Sequence, residues 1–170
     1  MNKKQWLGLG LVTVAAIGLA ACGNRASRKD SSDAKTDLKA AIVTDTGGVD
    51  DKSFNQSAWE GLQAWGKENG LSKDNGFTYF QSTSEADFAN NFSQAATNGY
   101  KLVYGVGYKL APAVTAAADE NADINYVIID SVVGDKKNVA SAVFADNEAA
   151  YLAGVAAAKT TKTNKVGFIG

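Results

Sequence analysis

The chain has 170 residues, with 17 basic side chains, 18 acidic ones and no histidine. Without imidazole there are no His general bases, His-based triads or His metal sites. The near-balanced charge leaves no basic stripe of the kind nucleic acid needs, so no nucleic-acid partner is expected.

The first elements are targeting rather than fold. Lys3 and Lys4 precede an apolar, small-residue run at 7–20, which leads into Leu19-Ala20-Ala21-Cys22. A basic start, a short apolar stretch and a small-residue cleavage site describe a secretory signal peptide. The run is shorter than the ~20 apolar residues of a membrane span. Leu-Ala-Ala-Cys resembles the lipobox of bacterial lipoproteins, in which the cysteine becomes the lipid-carrying N-terminus. Cys22 is the only cysteine, so no disulfide can form within the chain. The expectation is a signal peptide at 1–21, lipidation at Cys22, and a protein anchored to the extracytoplasmic face of the cell membrane. Acyl chains there contribute about 0.8 kcal/mol per buried CH₂. Residues 22–37 are polar and charged and read as a flexible tether. Beyond residue 21 the chain keeps 15 basic residues against 18 acidic ones, a mildly acidic balance.

From Leu38 onward, strands and helices alternate. Residues 39–44 read as a strand with an Ile-Val centre. Residues 53–69 read as a helix with Phe54, Ala58, Leu62 and Trp65 on one face, closed by Gly70. A second strand falls at 77–81. Ser84 caps a second helix, whose Phe88, Phe92, Ala95 and Ala96 share a side and which Gly99 ends. Residues 102–106 are a third strand, and 110–121 a third helix with Pro112 in its first turn. Residues 124–129 are a fourth strand, almost wholly apolar, as in a strand covered on both faces. A fifth strand is expected at 139–145, an alanine-rich helix at 147–159 and a sixth strand at 165–169. This alternation predicts an α/β fold built on a doubly wound parallel sheet.

Ligands of open α/β sheets bind beyond the carboxyl ends of the strands. Those ends carry Asp45-Thr-Gly-Gly, then Ser82, Thr83 and Ser84, then Gly105-Val-Gly107-Tyr108, then Asp130-Ser131, then Asp146-Asn147. Carboxylates, hydroxyls and aromatics suit a neutral ligand bearing a diol or a planar base. Phosphate would want lysine or arginine, and the first loop offers only Lys52. Gly105-x-Gly107 is not a dinucleotide fingerprint, and Asp50-Asp51 lacks calcium-loop spacing, so neither cofactor nor metal is expected. Purely structural readings stand beside these. Ser53-Phe-Asn-Gln56 fits an S-x-x-Q capping box. Asp50 and Asp51 suit a helix N-terminus, Phe54 falls on an apolar stripe, and Asp146-Asn147 fits a helix cap.

The stretch Asp45-Thr-Gly-Gly-Val-Asp-Asp-Lys-Ser-Phe-Asn-Gln56 resembles the basic membrane protein (BMP) family of substrate-binding lipoproteins, of the purine-nucleoside-receptor type. Val127-Ile-Ile-Asp130 and Phe144-Ala-Asp-Asn-Glu-Ala-Ala-Tyr-Leu-Ala-Gly154 support the resemblance. It implies a type I periplasmic-binding-protein fold of two α/β lobes. Residues 38–160 would then be the N-terminal lobe, and 161–170 the crossover and first strand of a second lobe. It implies a purine held by aromatic rings, with Phe54 as one of them. Asp45 and Asn55 would hydrogen-bond the base, and Asp130 the ribose. Ser53, Gly107 and Asp146 complete the candidate ligand set by position. The implied partners are a purine nucleoside and an ABC permease. Two rivals remain: a sugar or signalling-molecule receptor of the same fold, and a secreted nucleoside hydrolase, which would need a metal or an acid/base pair.

Overall fold

The computed structural model describes residues 36–169. The expected signal peptide, Cys22 and most of the tether lie outside them. Five parallel strands form one sheet: β1 (Ala40–Val43), β2 (Phe77–Phe80), β3 (Leu102–Val106), β4 (Asn125–Ile129) and β5 (Val139–Ala142). Their spatial order is β2-β1-β3-β4-β5. Helices α1 (Phe54–Glu68), α2 (Phe88–Thr97) and α3 (Ala111–Glu120) separate the first four strands, a loop joins β4 to β5, and α4 (Asp146–Thr160) follows β5. The α/β doubly wound sheet expected from the alternation is therefore present.

One face of the sheet carries the larger core. Ala41, Val43, Val103, Tyr126 and Ile128 pack there against Phe88 and Phe92 of α2 and Val114 of α3. The ring of Phe92 meets that of Tyr126 edge-on at 6.0 Å. The other face packs Ile42 and Val106 against Trp59 and Leu62 of α1. Here the structure departs from the expected stripe. The residues α1 buries are Asn55, Trp59, Leu62 and Gly66, so the inward face is rotated away from Phe54, which is 46% exposed. Two contacts set this rotation. A Cβ at Gly66 would sit 2.4 Å from the Phe77 ring, so only glycine lets the helix lie this close to β2. The Trp59 ring meets those of Phe77 and Tyr79 at 5.6 and 5.0 Å.

Other differences are informative. Val127 and Ile129, expected to be covered, are only partly buried, as are Leu102 and Tyr104 beside them, because among the described helices only α1 packs on that face. A groove of about 290 Å³ lined by Leu62, Trp65, Tyr104 and Ile129 remains beside it. The fifth strand stops at Ala142, and α4 buries none of its residues. The expected sixth strand at 165–169 is unpaired, and Phe168 and Ile169 are almost fully exposed. An apolar run becomes a strand only where a neighbouring ladder accepts its hydrogen bonds. No helix among the described residues is long and apolar enough to cross a membrane.

Candidate functional site

β1 leads through α1 to β2 on one side, while β3, β4 and β5 run outward on the other, so the direction of winding reverses between β1 and β3. The carboxyl ends of these two strands diverge there into separate loops, which leaves a crevice. A cavity of about 280 Å³ opens at that point, lined by Asp45, Asp51, Ser53, Phe54, Asn55, Val106, Gly107, Tyr108, Lys109 and Asp130. Six of the seven expected ligand residues meet in it: Asp45, Ser53, Phe54, Asn55, Gly107 and Asp130.

Asp146 is the seventh, and it stands elsewhere. It lines a neighbouring cavity of about 430 Å³ with Ser53, Phe54, Ser57 and Phe144. Nor is it a helix cap: Ala145 occupies the N-cap position, and Asp146 with Glu148 lies in the first turn of α4, where carboxylates favour the positive helix end. The ring of Phe144 meets Phe54 edge-on at 6.1 Å. Phe54 is thus shared between the two cavities.

The loop after β1 is organised by Asp51, and here the capping-box expectation is corrected. Ser53 sits at the N-cap position of α1 but makes no side-chain capping bond. Asp51 supplies the acceptors instead. Its Oδ1 accepts from the backbone N–H of Ser53 at 2.8 Å and of Gln56 at 3.0 Å, and its Oδ2 from that of Asn55 at 3.1 Å. A carboxylate with two oxygens can serve three converging N–H groups, which one hydroxyl cannot. Gln56 reaches back, as the box requires, but to the Lys52 N–H at 3.2 Å. Burial works to raise the Asp51 pKa. The N–H groups of Gln56, Ser53 and Asn55 and the Asn55 amide outweigh it and hold the carboxyl below its ordinary range.

Asn55 joins the two acidic positions. Its Nδ2 donates to Asp45 Oδ1 at 2.7 Å and to Asp51 Oδ2 at 3.0 Å. Asp45 Oδ1 also accepts from the Gly47 N–H at 2.9 Å. Asn55 is 2% exposed, and its Oδ1 is buried with no partner.

Gly107 closes the opposite wall. Its φ of 99° and ψ of 148° belong to a region that only glycine occupies readily. This turn sends the chain into a 3₁₀ turn at Tyr108–Leu110 that brings Tyr108 and Lys109 to the cavity. Tyr108 is 62% exposed. Lys109 pairs with Glu85 at 3.0 Å; hydrogen bonding and charge from Glu85 hold its pKa above the ordinary lysine value. Asp130, at the end of β4, takes a left-handed φ of 66°, while its N–H stays paired to Ala142 O at 2.8 Å. Asp45, Asp51 and Asp130 share the cavity, yet no group of three or more potential ligands among the described residues is placed to hold a metal ion.

The hydroxyls after β2 serve the scaffold. Ser82 is buried and donates to Thr44 O at 2.7 Å, and Asn91 of α2 donates to Ser82 Oγ at 2.9 Å. Thr83 donates its hydroxyl and its backbone N–H to Asp87 Oδ2, and Ser84 its backbone N–H. Sequence reasoning left Asp51, Lys109 and Tyr108 out of the ligand set. The signal for Tyr108 was present: an aromatic directly after the glycine turn at a strand end.

A family model described as "ABC transporter substrate-binding protein PnrA-like" (Bmp) matches residues 38–170. The "ABC transporter nucleoside-binding protein BmpA" of Lactococcus lactis subsp. cremoris is 57% identical over 99% of this chain and 48% of its own length. A "CD4+ T-cell-stimulating antigen" of Listeria monocytogenes is 48% identical over 100% of this chain and 49% of its own. The chain thus spans about half the length of these curated relatives. A crystal structure of an ABC transporter solute-binding protein from Aeropyrum pernix superposes with a TM-score of 0.64 and 26% identity, covering 71% of this chain and 32% of that one.

Proposed function

Because the chain belongs to the Bmp family of PnrA-like ABC transporter substrate-binding proteins, we propose that it captures purine nucleosides for import through an ABC permease. The observation that carries this reading is the cavity at the β1/β3 switch point, where an exposed aromatic ring stands beside carboxylates from two strand ends. Phe54 supplies a face on which a planar base stacks, a contact of about 1–3 kcal/mol per base. Asp45 accepts from the base edge. Asp130 accepts from a ribose diol, whose two adjacent hydroxyls match the two oxygens of a carboxylate. Three carboxylates around the cavity, with its one lysine held by Glu85, disfavour a phosphorylated ligand.

Cys22 carries the lipid anchor in this reading, and the polar tether lets the domain reach a permease from the extracytoplasmic membrane face. The chain acts as a binding protein, without catalysis of its own. Isothermal titration with inosine, hypoxanthine and ribose tests the assignment. Inosine should bind more tightly than either fragment. Asp130→Ala should weaken inosine far more than hypoxanthine, and equal losses for the two would refute the ribose role. Tighter binding of ribose than of inosine would favour a sugar receptor.

A further inference from the structure

Phe54 is the first residue of α1. Side chains of a helix lean toward its N-terminus and rest on the preceding turn. At the first position there is no preceding turn to rest on. Nor does the core hold Phe54, because α1 turns Asn55, Trp59, Leu62 and Gly66 inward and leaves Phe54 46% exposed. The ring it meets is that of Phe144, edge-on at 6.1 Å with the two planes at 65°, an arrangement that the ring quadrupoles favour. Phe144 is itself fixed on both sides along the chain. It follows closely on β5, whose last residue, Ala142, accepts from the Asp130 N–H at 2.8 Å. On its other side the Ala145 carbonyl accepts from the Glu148 N–H at 2.9 Å and opens α4. Phe144 lines the cavity of about 430 Å³ rather than the one around Asp45, Asn55 and Asp130. It therefore reaches a ligand in the second cavity only through Phe54.

We propose that Phe144 is a positioning residue for Phe54: its ring holds the Phe54 ring in place, so that the strength of stacking is set from the segment between β5 and α4. The inference rests on the nucleoside reading above and adds to it the group that pre-organises the stacking face. The χ1 torsion of a phenylalanine has three staggered wells, and at a helix start no preceding turn closes any of them. An unheld ring divides its time among the wells. The apparent affinity then falls by the fraction that is competent to stack, a loss of about threefold. A ring already held by Phe144 does not have to be ordered by the ligand. The stacking ring and the strand-end carboxylate thus take their positions from the same end of β5, but through separate contacts. Asp130 is held by a backbone hydrogen bond to Ala142, and Phe54 by a side chain. Removing the Phe144 ring breaks the second contact and spares the first.

The test is isothermal titration of the full chain with inosine and hypoxanthine. Phe144→Ala should weaken both by the same factor, about threefold, because both stack on Phe54. Phe144→Tyr keeps the ring and should bind as the wild type does. In a Phe54→Ala background, Phe144→Ala should cause no further loss. A merely structural loss at the end of β5 would displace Asp130 as well and weaken inosine more than hypoxanthine, and that result would overturn the positioning role. Wild-type affinity in Phe144→Ala, or an equal loss with and without the Phe54 ring, would overturn it too and leave the nucleoside reading standing. Binding of neither compound by the wild-type chain would overturn both.

Discussion

Removing the Asp51 carboxylate should destabilise the fold more than any other change in the loop between β1 and α1. Asp51→Ala strips the acceptor from three backbone N–H groups, those of Ser53, Asn55 and Gln56, and from one hydrogen of the Asn55 amide. Bonds to a charged acceptor are worth about 1.5–3 kcal/mol each in isolation. Ser53 is exposed and Gln56 only partly buried, so water replaces much of what those N–H groups lose. Loss of an N-cap acceptor costs about 0.5–2 kcal/mol in practice. The buried Asn55 amide and the helix-end charge place this case at the upper end, about 2 kcal/mol. For a domain of this size that lowers Tm by roughly 6–10 °C. Ser53→Ala, which removes no side-chain capping bond, should stay within about 0.5 kcal/mol of wild type.

Acid supplies a second reading of the same contact. The folded Asp51 pKa lies below its ordinary value. Its contribution is therefore complete above the unfolded carboxylate value of about 3.9 and is lost as pH falls through the lower folded value. The gap between wild type and Asp51→Ala should be flat near neutrality and should shrink only below about pH 3.9. Urea denaturation across pH measures both quantities. A Ser53→Ala loss equal to that of Asp51→Ala, or a gap that widens on acidification, would refute the assignment of the cap.

Three more outcomes follow from the geometry. Gly107→Ala forces a side chain into φ 99° and should cost about 1–3 kcal/mol in the same denaturation assay while displacing Tyr108. Gly66→Ala places a methyl 2.4 Å from the Phe77 ring; overpacking of about 1–3 kcal/mol is expected, and Phe77→Leu in the same chain should recover part of it. Phe54→Ala should leave stability nearly unchanged, because the ring is 46% exposed. It should weaken nucleoside binding by about tenfold or more in titration calorimetry, and unchanged affinity would refute stacking.

Much of the architecture was legible because it rests on local periodicity. The alternation of apolar strands with amphipathic helices requires parallel β-α-β units, and every strand from β1 to β5 lies where its residues placed it, within a few positions. The loop Asp45–Gln56 was legible as a lining of the crevice because its residue types stand at a strand end. Which carboxylate does which work was not legible. Asp51 and Ser53 are both good helix starters in one dimension. The choice between them depends on where three N–H groups converge, and on Asn55 being drawn inward between Asp45 and Asp51. The packing of Gly66 and Trp59 on β2 turned α1 to the same side and left Phe54 outside, against the simplest reading of its apolar stripe. Residues 165–169 have the composition of a strand and pair with no strand among the described residues. Composition sets what a segment is able to form; the hydrogen-bond partners and packing surfaces supplied by distant residues decide whether it forms, and only the tertiary structure contains them.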